Sequence, residues 1–188
     1  MRAKRDDSVL LIVDMQDKII DTVADKESLL HCSEAIVKAS SVLNVPSILT
    51  QQEKLGNITP RIIRSYASDR EAIKKLTFSC CGVSNFRDNL QKLGRKTIFA
   101  IGVETHVCVL QTVLDLLAFG YNVLVLRDAT SSFRKVDRRT AIERMRDDGA
   151  WITTTESAIF ELTEDAERLE FKQILEIIKT LRHNLTHA

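Results

Sequence analysis

The sequence predicts one α/β domain, built on a mainly parallel sheet with helices on both of its faces. Three observations predict it. Short apolar runs alternate with segments of helical periodicity along the chain, the pattern of strand–helix–strand units. The strongest runs, Val9 to Val13 and Thr97 to Val103, read as buried strands. The chain has 188 residues with 44% hydrophobic content, enough for one sizeable core rather than two.

The elements follow in order. Val9 to Val13 forms a strand that ends on Asp14. Residues 28–44 form a helix closed by Asn44 and Pro46, and Ser47 to Thr50 a short strand. Residues 51–70 form a long loop with a helical piece, punctuated by Gly56, Asn57 and Pro60. A third strand lies near Ala72 to Leu76, and residues 84–93 form a helix that stops at Gly94. Thr97 to Val103 is a strand and Thr105 to Phe119 a helix that stops at Gly120. Asn122 to Leu126 is a strand ending at Arg127 and Asp128, residues 136–148 a helix closed by Gly149, and Trp151 to Thr155 a strand. The last helix runs from about Glu167 to Leu185. Its apolar residues Phe171, Ile174, Leu175, Ile178, Leu181 and Leu185 share one face, which packs on the core or, alternatively, on another subunit.

Composition excludes several classes of function. The formal net charge is +1 and aromatics make up 5%, so no basic stripe serves nucleic acid. Residues 1–7 are short and polar, and the apolar run after them is too brief for a secretory leader. No stretch approaches the ~18 apolar residues of a membrane span. The four cysteines, Cys32, Cys80, Cys81 and Cys108, show neither a CxxC pair nor zinc-ligand spacing. A reducing, cytoplasmic location is the expectation.

In parallel α/β sheets, ligands bind beyond the carboxyl ends of the strands. That rule points to Asp14, to the turn at 102–108, and to the loop at 127–136. In the second of these, the strand ending at Val103 turns sharply into an apolar helix. Thr105 would cap that helix and place Cys108 in its first turn, where free N–H groups would favour a thiolate or an oxyanion. Taken alone, Cys108 also reads as a small buried hydrophobe. Bringing a thiol from a pKa of about 8.5 to below 7 needs roughly 2 kcal/mol. A helix N-terminus supplies about 0.3–1, whereas an ammonium about 4 Å away supplies roughly 4. A cation is therefore expected beside Cys108. His106 is a poor partner, because residues two apart on a helix do not face each other; it would instead touch a loop or another subunit.

These residues resemble a known family. Gly102-Val-Glu-Thr-His-Val-Cys-Val109 is similar to the nucleophile signature of the isochorismatase-like hydrolases. Leu11-Ile-Val-Asp-Met-Gln16 resembles their first strand and its catalytic aspartate, and Lys75-Leu-Thr-Phe-Ser79 their lysine motif. The three occur in the family's order. Thr50 to Gly56, Val136 to Arg139, Arg144 to Ala150, Ser157 to Leu162 and Phe171 to Ile174 resemble the eukaryotic "isochorismatase domain-containing" branch.

The resemblance implies a three-layer, Rossmann-like fold with a six-stranded sheet over residues 8–180, with 1–7 and 181–188 as terminal extensions. It implies Cys108 as nucleophile, Asp14 as general base and Lys75 as the residue that holds the thiolate and orients Asp14. It also implies a cis peptide before Glu104, an oxyanion hole from the backbone N–H groups of Glu104 and Cys108, and a homo-oligomer. Without the resemblance, Asp14 is equally a strand-end turn residue. Lys75 is equally a solvated lysine beside Lys74, preferred only for its spacing to Phe78 and Ser79.

The chain departs from the metal-binding nicotinamidases of this superfamily, which use an aspartate and two histidines after the second strand. Residues 51–70 offer Asp69 but no histidine, so neither metal nor cofactor is expected. Candidates for the substrate pocket are Gln51, Phe78, Cys80, Thr105 and Phe133, with Gln52, Asn57 and Arg127 on the same loops. The expected function is hydrolysis of a small amide- or imide-type substrate through a Cys thioester. A non-catalytic oligomeric scaffold and a thiol-redox enzyme using Cys108, with Cys80 as its partner, are the competing readings.

Overall fold

Alternation along the central strands sorts their side chains onto two faces. The computed structural model describes residues 1–66 and 71–187. The strands are β1 Ser8–Val13, β2 Ser47–Gln52, β3 Ile73–Lys75, β4 Thr97–Val103, β5 Asn122–Ser131 and β6 Trp151–Thr153. They form one sheet of order β3-β2-β1-β4-β5-β6, with every pairing parallel. The helices are α1 Asp17–Ile20, α2 Lys26–Val42, α3 Pro60–Ser65, α4 Ser84–Leu93, α5 Leu110–Ala118, α6 Lys135–Asp147, α7 Thr155–Thr163 and α8 Phe171–Thr186.

Leu10 and Ile12 of β1, Phe99 and Ile101 of β4, and Leu124 and Leu126 of β5 face α2, α3, α7 and α8. Their neighbours Val9, Leu11, Val13, Ile98, Ala100, Val123 and Val125 face α4, α5 and α6. Two apolar layers therefore enclose the sheet, as the sequence predicts. On α8, Ile174, Ile178 and Leu181 are buried in the first layer, so this face packs on the core, while Leu185 is exposed. No described helix is long and apolar enough to cross a membrane.

Several boundaries differ from expectation. β3 is shorter than 72–76, and the last helix starts at Phe171 rather than near Glu167. β5 runs on past Leu126 to Ser131, with its register to β4 shifting between Ala100 and Gly102. The apolar-run criterion ends a strand at Arg127, but the four residues that bulge out rejoin the ladder at Thr130 and Ser131. Thr155–Thr163 is a helix that apolar periodicity did not reveal, because it is only nine residues long. The expected helix over 105–119 opens as a π-helical turn, Thr105–Val109, before α5. Its N-cap position is Glu104, and the Thr105 hydroxyl is buried without a hydrogen-bond partner, so Thr105 is not the cap.

The strand order reverses between β1 and β4, which pair along six residues from Ser8↔Thr97 to Val13↔Gly102. Connections leave these neighbours in opposite directions, and the gap between them is where α/β sheets hold ligands. Gly102 makes the close approach feasible. Its φ is +124°, and a Cβ there would sit 2.0 Å from the Val13 carbonyl oxygen. Asp14 follows with φ 48°, in the left-handed region that aspartate tolerates better than most residues. We predict that Gly102→Ala destabilises the fold by about 3 kcal/mol or more in urea unfolding, since backbone must move to admit the methyl group.

Candidate active site

Three chain segments meet at the carboxyl edge of the sheet. Asp14 follows β1, Lys75 ends β3, and Cys108 lies in the π-turn after β4. All three are buried, Asp14 and Lys75 nearly completely at 1% and 2% exposure. Alternation in β3 decides between the two lysines: Lys74 points to solvent and Lys75 inward.

The Lys75 Nζ lies 2.6 Å from Asp14 Oδ2. It donates to Gln52 Oε1 at 2.7 Å, and to the carbonyls of Phe78 at 3.0 Å and Thr77 at 3.2 Å. A buried ammonium is tolerable only when its charge and its protons are matched in this way. Burial opposes the charged form, yet the Lys75 pKa is raised, because Asp14 and, to a lesser degree, Cys80 and Cys108 together favour the ammonium. Asp14 Oδ1 accepts from the Thr50 hydroxyl at 2.8 Å, whereas Oδ2 receives no well-directed hydrogen bond beyond the ion pair.

Gln16 and Gln52 build the floor. Gln16 Oε1 accepts from the Gln52 N–H at 2.8 Å, and its Nε2 donates to the carbonyls of Gln52 and Gly56 at 3.0 and 2.7 Å. Gln52 in turn donates to Leu76 O at 2.9 Å while accepting from Lys75. The loop after β1 is thus sewn to the end of β2, and β2 to the loop after β3.

The turn carrying Cys108 is fixed from both sides. The Glu104 carbonyl accepts from the N–H groups of Val107 and Val109 at 3.1 and 3.2 Å. The Glu104 carboxylate accepts from the Phe133 N–H at 2.9 Å, and His106 Nδ1 lies 3.0 Å from Ser132 Oγ. His106 therefore touches the loop after β5, as expected. The peptide between Val103 and Glu104 is cis. Behind the turn, the Thr112 hydroxyl donates to Cys108 O at 2.7 Å and accepts from the Cys80 N–H at 2.9 Å.

The Cys108 thiol does not have the lowered pKa that a neighbouring lysine alone would give. Burial and the Asp14 carboxylate push it up to about 12, against the opposing pull of Lys75. The resting group is a neutral thiol facing a carboxylate. A neutral thiol beside a carboxylate is the arrangement in which Asp14 would act as the base.

Residues 8–157 match the isochorismatase domain. The chain belongs to the isochorismatase family. It is 40% identical to the secreted isochorismatase effector Isc1 of Phytophthora sojae, over 92% of this chain and 84% of that one. It is 34% identical to isochorismatase domain-containing protein 2 of Xenopus laevis, over 91% and 83%, which places it with the eukaryotic branch. Among solved structures, the MAR1 ribonuclease of Caenorhabditis elegans superposes with a TM-score of 0.90 at 32% identity, covering 95% of this chain and 92% of that one.

Within this family member, the expected pocket residues divide. Phe78 and Phe133 are exposed rings at 54% and 67%. Gln51 is half-buried and donates to Gly56 O at 2.9 Å. Cys80 and Thr105 are fully buried, so neither lines an open pocket of the isolated chain. Cys80 instead packs beneath the carboxylate, its Sγ 3.7 Å from Thr50 Oγ1. Burial pushes its thiol up to about 11. Asp69 lies outside the described residues. Thr50, Gln16 and Thr112 carried no signal of their own in the sequence, although the first two flank the strand-end motifs.

The shifts set a pH dependence. Folding favours the protonated Cys108 thiol and the protonated Lys75, both with raised pKa values. The thiol's contribution to stability is complete below its unfolded value near 9 and is lost as pH rises towards 12, and that of Lys75 is complete below 10.5. We predict that iodoacetamide alkylates Cys108 at pH 7.5 more than about tenfold slower than a free cysteine. In Asp14→Asn the rate rises, because Lys75 then acts on the thiol unopposed. Peptide mapping against time checks both.

Proposed function

We propose that this chain is a cysteine hydrolase of small amide- or imide-type substrates, with Cys108, Asp14 and Lys75 as its catalytic set. The observation that carries the reading is the convergence of these three buried side chains, with a neutral thiol facing an ion-paired carboxylate. A thiol at rest needs a base at the moment of attack. Asp14 Oδ2, without another directed hydrogen bond, takes the proton. The sulfur bonds to the substrate carbonyl carbon, and the N–H groups of Glu104 and Cys108 receive the oxyanion. Lys75 balances the negative charge as it moves from carboxylate to sulfur. Collapse breaks the C–N bond, and the proton on Asp14 leaves with the amine. Water, deprotonated by Asp14, then hydrolyses the thioester and restores the thiol.

The exposed Phe78 and Phe133 support a substrate mouth that a second copy would help to close, and we assign the protein as a homo-oligomer. Four free, buried thiols fit a reducing, cytoplasmic compartment. We assign neither nucleic acid nor membrane as a partner. RNA cleavage, suggested by the MAR1 likeness, needs cations free to hold a phosphate, whereas Lys75 is buried and bound to four acceptors. A scaffold role does not account for a thiol set against the buried ion pair, and a thiol-redox role is opposed by thiols whose burial holds them protonated.

The test is a panel of small amides, imides and activated esters, with an RNA control, followed by intact-mass analysis. The expected result is turnover of a carbonyl substrate with a transient acyl adduct on Cys108, absent in Cys108→Ser. Turnover of RNA alone, or carbonyl turnover that survives Cys108→Ser, would contradict the proposal.

A further inference from the structure

Thr50 lies outside the proposed catalytic set, yet its side chain contacts Asp14 directly. It is fully buried at the middle of β2. Its hydroxyl meets three groups. The Asp14 N–H donates to it at 3.3 Å, the Cys80 thiol donates to it at 3.7 Å, and it lies 2.8 Å from Asp14 Oδ1. An amide N–H and a protonated thiol offer protons to this oxygen, and Cys80 is held protonated by burial. A hydroxyl has one proton and two lone pairs. Both lone pairs are occupied, so the one proton is directed to Asp14 Oδ1.

We infer that Thr50 is a positioning residue that selects which oxygen of Asp14 acts as the base. With Oδ1 held by Thr50, the carboxylate cannot turn without breaking a buried hydrogen bond to a charged group. Oδ2 is thereby kept 2.6 Å from the Lys75 ammonium and available to the Cys108 thiol that faces this carboxylate. Oδ2 is also the oxygen that carries no other directed hydrogen bond. The Cys80 thiol has a matching purpose: it fills the second lone pair of Thr50 and so fixes the direction of the hydroxyl. This inference rests on the proposal that Asp14 takes the Cys108 proton.

The test uses p-nitrophenyl acetate as an acyl donor and follows acetylation of Cys108 by mass against pH. In this step the S–C bond forms, the C–O bond to nitrophenolate breaks, and the thiol proton passes to Asp14 Oδ2. Wild type, Thr50→Val, Thr50→Ser and Asp14→Asn are compared. In Thr50→Val the rate at pH 7 is expected to fall about tenfold or more. Thr50→Ser, which keeps the hydroxyl, restores the rate across the pH profile. A Thr50→Val profile that matches wild type, or a Thr50→Ser profile as impaired as Thr50→Val, overturns the inference. Asp14→Asn separates the two levels: if its profile matches wild type, the base assignment itself fails. Proton NMR of the wild-type protein decides the matter even if Thr50→Val does not fold. A slowly exchanging Thr50 hydroxyl resonance that shifts upfield in Asp14→Asn supports the inference, and one that exchanges as fast as a solvated hydroxyl overturns it.

Discussion

Two opposite charges buried 2.6 Å apart, Lys75 and Asp14, set the terms for everything around them. Taking each ion from water costs several kcal/mol, and attraction repays this only if the remaining protons and lone pairs are also satisfied. The structure meets that demand with Gln52, Thr50 and the carbonyls of Thr77 and Phe78. Those partners come from β2 and from the loop beyond β3. The ion pair therefore dictates how three adjacent strand ends are joined, and the Gln16–Gln52 clamp completes the join. Gly102, with no room for a methyl group, brings the fourth strand end close enough to present Cys108 to the same pair.

The balance of charges also decides the chemistry. A lysine alone beside Cys108 would give a standing thiolate. The carboxylate of Asp14 reverses that, and the thiol rests protonated. A protonated thiol is protected from adventitious alkylation and oxidation. In the proposed mechanism it reacts when a carbonyl is in place and the proton moves to the carboxylate in the same event. The negative charge then sits on sulfur and on the substrate oxygen, still within reach of Lys75. The inferred role of Thr50 is to restrict this transfer to one oxygen by holding Asp14 Oδ1.

The sheet was legible because its central strands are continuous apolar runs, and because each helix of ten residues or more carries a visible apolar face. α7 was not, being too short for its periodicity to register, and the bulged half of β5 was hidden by Arg127 and Asp128. The three charged and thiol residues of the site were legible only through their motifs and order; singly, each has an ordinary structural reading. Thr50, Gln16 and Thr112 were not singled out, because a hydrogen bond between residues 36 apart, such as Thr50 to Asp14, leaves no periodic trace in a sequence. The protonation state of the thiol was not legible for a similar reason. Proximity of Lys75 to Cys108 was foreseen, but the pKa depends on the sum of all neighbours, and Asp14 is the nearer counter-ion to the lysine.

A double-mutant cycle on Asp14 and Lys75 tests the central claim most directly. Urea unfolding of Asp14→Asn, Lys75→Met and the double variant measures their coupling. Each single change leaves one buried charge unpaired and is expected to cost about 3–5 kcal/mol. The double change removes both charges, so it should cost far less than the sum, with a coupling of about 2 kcal/mol or more. Costs that simply add to within about 0.5 kcal/mol would mean that the two residues do not depend on each other, and the account built on their pairing would be wrong.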